Sequence, residues 1–230
     1  MNAIVFRAFY FIVALLHIAA IIFLPNNDSI IAASKLMLMP VLIFWVLSSL
    51  RLQENSSRLY LLLLALVFSL LGDFFLLDII PGINSFILGL SSFLLAHISY
   101  TLLFTNSIKD LYHCFRAPVV GLSIFMLLWA AAVMYFLIPK LSDMLVPVSF
   151  YVLVIVLMVL SAISRFRRVS RQVFYLVAAG AISFLFSDMV IAINKFGSTI
   201  AHERIIVMSS YILAQYLITE GILQQKQNEQ

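Results

Sequence analysis

Two aspartates, Asp73 and Asp188, lie inside long apolar runs, LLGDFFLL and ISFLFSDMVIAI. Burying an ionised carboxylate in hydrocarbon costs at least about 2.5–3.5 kcal/mol, so such residues face a bundle interior or a wet cavity and find a partner there. A structural ion pair or a hydrogen bond joining two helices would satisfy them. So would a catalytic role, because two carboxyl groups in different surroundings can divide acid and base work: desolvation lets one keep its proton near neutral pH while the other stays charged. Asp78 lies closer to a helix end, and Asp28, Asp110 and Asp143 fall in loops.

Around this pair the sequence places polar side chains at helical spacing. His97 and Thr101 are four residues apart with Tyr100 beside them, and Tyr211, Gln215 and Thr219 form a second stripe at spacings of four. Residues three and four apart share a helix face, so each stripe is a polar seam that either joins helices or lines a site. Lys35, about five residues into an apolar run, has three options: to extend its ammonium outward, to meet one of the aspartates, or to bind an anionic group such as phosphate as a point charge. Glu220 sits near the end of the last run and reaches the interface.

Other chemistries lack their residues. The sequence has no Gly-rich phosphate loop, no HExxH, no GxSxG and no cluster of histidine ligands, so neither a metal site nor a serine hydrolase is supported, and no cofactor is implied. Cys114 is the sole cysteine, which excludes a disulfide within the chain and a cysteine-based metal site. Intramembrane aspartyl proteases also use two aspartates, with Gly-x-Gly-Asp as the second motif; here Leu70-Leu71-Gly72-Asp73 lacks the first glycine.

The elements that carry these residues follow from composition. Hydrophobic residues make up 64% and charged residues 10% of 230, against roughly 25% charged in soluble domains, and mean hydropathy is +1.12. A bilayer core takes about 20 apolar residues per helix. Eight such runs occur, at about 4–24, 30–50, 59–80, 84–106, 117–138, 146–164, 172–194 and 203–223, separated by short breaks such as Pro25-Asn26-Asn27-Asp28 and Pro81-Gly82. An all-α bundle of eight transmembrane helices in one membrane domain is expected. The first run, behind Arg7, is long for a secretory signal and reads as a span.

The pI near 9.3 does not point to nucleic acid, since the cations flank the runs. With the N-terminus in the cytoplasm, ten cationic residues lie inside (Arg7, Arg51, Arg58, Lys109, Arg116, Arg165, Arg167, Arg168, Arg171, Lys226) and four outside (Lys35, Lys140, Lys195, Arg204). The positive-inside rule therefore puts both termini in the cytoplasm, in the inner membrane if the source is bacterial. The Arg165–Arg171 cluster serves this topology, with anionic lipid as its other possible partner.

The third and fourth runs resemble the seventh and eighth. Aligning them sets Asp73 against Asp188, Ser92 against Ser210 and His97 against Gln215, at offsets of 115, 118 and 118 residues, half the chain. Two four-helix repeats, about 1–110 and 111–230, follow. With an even number of spans, both copies enter the membrane in the same direction, and each aspartate lies about 20 Å from the cytoplasmic start of its helix.

In order, LLGDFFLL, FILGLSSFLLAHISY, GAISFLFSD and SYILAQYLI resemble the motifs of the YhhN-like lysoplasmalogenase family over essentially the whole chain. The family's Lys-Pro step in its second helix reads here as Lys35-Leu36, with Pro40 further on. The resemblance implies an enzyme that hydrolyses the vinyl ether of a lysoplasmalogen to a fatty aldehyde and glycerophospho-ethanolamine or glycerophospho-choline. Asp73 and Asp188 would be its catalytic pair, His97, Tyr100, Tyr211 and Gln215 supporting residues, and Lys35 a phosphate contact. The expected partners are a lysophospholipid substrate and membrane lipids, with no nucleic acid and no obligate protein. Two rival readings use the same residues: a transporter of a small solute or lipid, whose aspartates bind protons or cations, and a scaffold whose polar residues only join helices.

Overall fold

In hydrocarbon every backbone N–H and C=O needs a partner within its own segment, which for long apolar runs means helix. The computed structural model describes residues 3–50, 57–78, 80, 84–105 and 117–225. Among them every regular element is helical: α1 (Ala3–Phe23), α2 (Asp28–Leu50), α3 (Ser57–Phe75), α4 (Ser85–Thr105), α5 (Ala117–Leu141), α6 (Leu145–Ser164), α7 (Arg171–Ala192) and α8 (Glu203–Gln224). Arg51, Lys109, Asp110, Cys114, Arg116 and Lys226, and the Pro81-Gly82 break, lie outside the described residues.

Local chemistry sets the helix ends. Asn27 Oδ1 accepts from the Ile30 N–H at 3.1 Å at the start of α2, Asn84 Oδ1 does the same for Ile87 at 3.2 Å before α4, and Ser170 Oγ caps α7 through Val173. Short oxygen-bearing side chains are preferred there because they satisfy otherwise orphaned N–H groups. Left-handed residues mark the turns: Asp78 follows α3, Ser142 separates α5 from α6, Arg167 separates α6 from α7, and His202 precedes α8.

Seven stretches among the described residues are long and apolar enough to cross a membrane. One of them, Val119–Ser164, has 46 residues and includes both α5 and α6, so two of the expected runs fall in one nearly unbroken helical stretch. A 3-10 turn at Ser142–Met144 interrupts it, and α5 packs against α6.

The chain forms two compact units, Met1–Tyr100 and Thr101–Gln230. In the first, α2 packs on both α1 and α3, and α4 meets α3 where Gly72 lies under Phe93 and Gly89 under Leu76. In the second, contacts run α5 to α6, α6 to α7 and α7 to α8. The last pair approaches closely because two glycines sit in the seam: a Cβ on Gly180 would lie 3.0 Å from the Ala214 carbonyl oxygen, and one on Gly221 would lie 2.7 Å from Val177. Small residues at such seams let membrane helices gain packing contact. A π turn at Ile193–Gly197 extends α7 and packs on α5, where Lys140 Nζ donates to the Gly197 carbonyl at 3.3 Å.

Candidate functional site: two partnered aspartates

Asp73 sits sixteen residues into α3 and Asp188 seventeen into α7, each about 25 Å from its helix start. At that depth each must have a partner, and each partner comes from the second helix of its unit.

In the first unit Lys35 Nζ on α2 lies 3.2 Å from Asp73 Oδ1, with the two side chains 14% and 2% exposed. Of its three expected uses, Lys35 takes the ion pair with an aspartate. Mutual compensation removes most of the cost of holding either charge among apolar helices. Tyr10 on α1, fully buried, is close enough to Asp73 and to Tyr100 on α4 for both to act on its hydroxyl electrostatically. All four helices of this unit thus contribute a polar group: Tyr10, Lys35, Asp73 and Tyr100. His97, three residues before Tyr100, is also fully buried on α4.

His17, seven residues after Tyr10, shares its face of α1, and its ring is buried. Its Nδ1 is 2.9 Å from Ser34 Oγ on α2, beside Lys35, whose charge reaches the ring. The Ser34 hydroxyl donates its single proton to the backbone of α2, at 2.8 Å to the Ile30 carbonyl or 3.1 Å to that of Ile31. Ser34 therefore accepts from His17, which puts the imidazole proton on Nδ1 and makes Nε2 an acceptor.

An apolar groove of about 620 Å³ runs along α1 and α2, lined by Val5, Phe9 and Val13 on one side and Leu36, Pro40 and Phe44 on the other. It opens at the surface, where Phe9 and Phe44 are exposed. Its end is one residue from Lys35 on α2 and one helical turn from His17 on α1. Pro40 in its wall has no N–H for the Leu36 carbonyl, which loses its usual helical partner.

In the second unit the Tyr151 hydroxyl on α6 donates to Asp188 Oδ2 at 2.5 Å; Tyr151 is buried and Asp188 half-buried. Ser187 Oγ donates to the Val207 carbonyl of α8 at 3.2 Å, which fixes the segment carrying Asp188. Tyr211 packs edge-on against Phe184 with ring centroids 5.4 Å apart, and Gln215 and Thr219 on the same helix are fully buried. Ser210 spends its proton on its own helix, at 2.8 Å to the Ile206 carbonyl.

Tyr151 follows Lys35 by 116 residues, within one residue of the 115 that separate Asp73 from Asp188. At nearly the same offset, then, each aspartate meets a partner, an ammonium in one case and a phenol in the other. Tyr10, His17, Ser34 and Tyr151 were missed by the reading of spacing in the third, fourth, seventh and eighth runs. The repeat offset carried to Lys35 would have found Tyr151, and the seven-residue step between Tyr10 and His17 would have marked one face of α1.

Residues 30–222 match the model of the YhhN family. Lysoplasmalogenase TMEM86A from Bos taurus is 25% identical over 219 residues, covering 90% of this chain and 85% of that protein. The human lysoplasmalogenase TMEM86A is 26% identical over 217 residues with the same coverage. No solved structure matches. With residues 30–222, most of its length, matched, this membrane protein belongs to the YhhN family.

Proposed function

We propose that the protein is a membrane hydrolase that opens the vinyl ether of lysoplasmalogens, releasing a fatty aldehyde and a glycerophospho-ethanolamine or glycerophospho-choline. The observation that carries this reading is the apolar groove along α1 and α2, walled on α2 by Leu36, the residue that follows the ion-paired Lys35. A single-tailed amphiphile laid in that groove would turn the start of its chain, where the vinyl ether is, toward the part of α2 that carries Lys35. The names of the relatives support the same activity. The eight-span topology with both termini in the cytoplasm belongs to this proposal, with α5 and α6 crossing separately.

The chemistry needs a proton and a water. Proton transfer to the vinyl carbon distal to oxygen gives an oxocarbenium ion; water adds to its carbon and loses a proton, forming a hemiacetal; the hemiacetal then collapses to aldehyde and the glycerol hydroxyl. One proton is consumed and one returned, and the net reaction adds one water. A carboxylic acid can deliver the proton and a carboxylate can stabilise the cation and orient the water.

The two partners suggest the division. Asp73, compensated by the Lys35 ammonium, takes the charged role. Asp188, whose partner is the neutral Tyr151 hydroxyl, is the second carboxyl group whose replacement the assay tests. The test is aldehyde release from lyso-alkenyl-glycerophosphoethanolamine by the purified chain in detergent, beside Asp73→Asn and Asp188→Asn. Aldehyde from the native protein alone is expected, with each variant reduced at least 100-fold, within the range of general acid–base contributions. Folded Asn variants that keep their activity would remove the mechanism.

A further inference from the structure

One polar atom on the buried face of α1 lacks a counterpart. His17 is fully buried, its Nδ1 is committed to Ser34, and its Nε2 has no hydrogen-bond partner among the described residues. Leaving such an acceptor desolvated and unpaired costs about 1–3 kcal/mol, and a packed helix pair would reach the same geometry with Leu or Phe at no such cost. Ser34 also fixes the tautomer, so Nε2 is held as an acceptor, ready for a donor brought from outside the protein.

The position of this acceptor suggests which donor. Along α1 the groove spans Val5 to Val13, with His17 one turn further; along α2 it ends at Leu36, with Lys35 and Ser34 next. A lipid whose tail fills the groove therefore has its polar end toward the turns of α1 and α2 where His17 meets Ser34. In a lysoplasmalogen the order of groups leaving the tail is vinyl ether, then the free hydroxyl on the neighbouring glycerol carbon. That hydroxyl is a donor of the required kind.

We infer that His17 Nε2 accepts the free sn-2 hydroxyl of a single-chain glycerophospholipid, making His17 the residue that distinguishes lysolipids from their two-chain parents. This rests on the proposed placement of the lipid in the α1–α2 groove. A second chain esterified at sn-2 replaces the donor by acceptors only and leaves Nε2 unpaired. Sites built to hydrogen-bond a substrate hydroxyl discriminate strongly against analogues that lack it, for this reason.

The test uses a lipid that cannot be hydrolysed, so that it stands apart from the hydrolase reading. The affinity of the purified full chain is measured for a saturated 1-O-alkyl lysophosphoethanolamine and for its 2-deoxy analogue, in native protein and in His17→Phe. Native protein should favour the hydroxyl lipid by about tenfold or more, and His17→Phe should bring the ratio close to one while retaining affinity for the deoxy lipid. In parallel, the 15N resonance of His17 Nε2 in native protein should move on binding the hydroxyl lipid and stay in place with the deoxy lipid, a readout that survives if the variant does not fold. Equal affinities in native protein, an unmoved resonance, or a ratio preserved in folded His17→Phe would each overturn the assignment. No aldehyde from the vinyl ether, with the hydroxyl preference intact, would sink the hydrolase reading alone.

Discussion

Lys35 and Tyr151 each partner an aspartate, yet they differ in charge, and their replacements should therefore behave differently. Lys35→Met leaves Asp73 as a buried carboxylate without its counter-charge, a loss that costs about 3–5 kcal/mol for buried pairs; the expected result is a large fall in thermal stability together with loss of activity. Tyr151→Phe removes one hydrogen bond to a carboxyl group, worth about 1.5–3 kcal/mol. If that bond serves the reaction, kcat should fall roughly 10- to 100-fold while the unfolding temperature moves only a few degrees. A Tyr151→Phe variant with native kcat would show that the bond only holds helices together. Both aspartates were legible in the sequence because carboxylates inside apolar runs are rare enough to stand out. Tyr10, His17 and Tyr151 stood out less, since tyrosine and histidine also occur in membrane helices as amphipathic packing residues, and their spacing carries only a weak signal.

At the level of elements, the seam between α7 and α8 and the groove between α1 and α2 make opposite demands on side-chain volume. Gly180 has no room: a larger side chain meets the backbone of α8 at Ala214 and Ile218. Gly180→Val should destabilise by about 1–3 kcal/mol through overpacking, seen as a lower unfolding temperature in detergent. Gly121 on α5, where an added Cβ would meet nothing within 4 Å, is the internal control, and Gly121→Ala should be neutral or stabilising by up to about 1 kcal/mol. The groove, by contrast, has space to lose. Val41 also lines it, so Val41→Phe fills part of it, and the expected outcome is a shift in chain-length preference, with kcat/KM for long-chain substrate falling about tenfold and short-chain substrate little affected. Unchanged preference across chain lengths would place the tail elsewhere. Helix positions were readable from apolar run length, and the caps at Asn27, Asn84 and Ser170 from residue type. The groove was not, because it depends on how Val13 and Leu36 come to face one another across two helices, which neither run specifies alone.

For the whole molecule, the sequence led to an all-helical membrane protein with eight spans, and the structure shows seven candidate stretches because α5 and α6 join through a short 3-10 turn. The apolar signal runs almost without interruption from Val119 to Ser164; only Lys140 and Asp143 mark the reversal, so hydropathy and helix length divide this region differently. Topology can be measured directly. In a Cys114→Ser background, a cysteine placed at Ser142 should react with an impermeant thiol reagent added from outside intact cells, while one placed near either terminus should react only after permeabilisation. Labelling of a terminal cysteine in intact cells would reverse the orientation drawn from the cationic residues. The offset between Asp73 and Asp188 was visible in the sequence, but the chemical difference between their partners was not, because those partners lie on α2 and α6, whose sequences share little beyond apolar character.

The groove along α1 and α2 opens sideways through exposed Phe9 and Phe44, and this has a consequence for how turnover depends on concentration. A lipid that enters through such an opening never passes through water, so its encounter with the protein is a search in two dimensions. The relevant variable is the mole fraction of lysolipid in the surrounding membrane. Diluting substrate with inert detergent or phospholipid at constant bulk concentration should slow the reaction, whereas diluting whole mixed micelles with buffer should not. On the proposed activity the two products would part by phase: the long-chain aldehyde would stay dissolved among the acyl chains, and the polar glycerophosphoryl fragment would leave for the aqueous side.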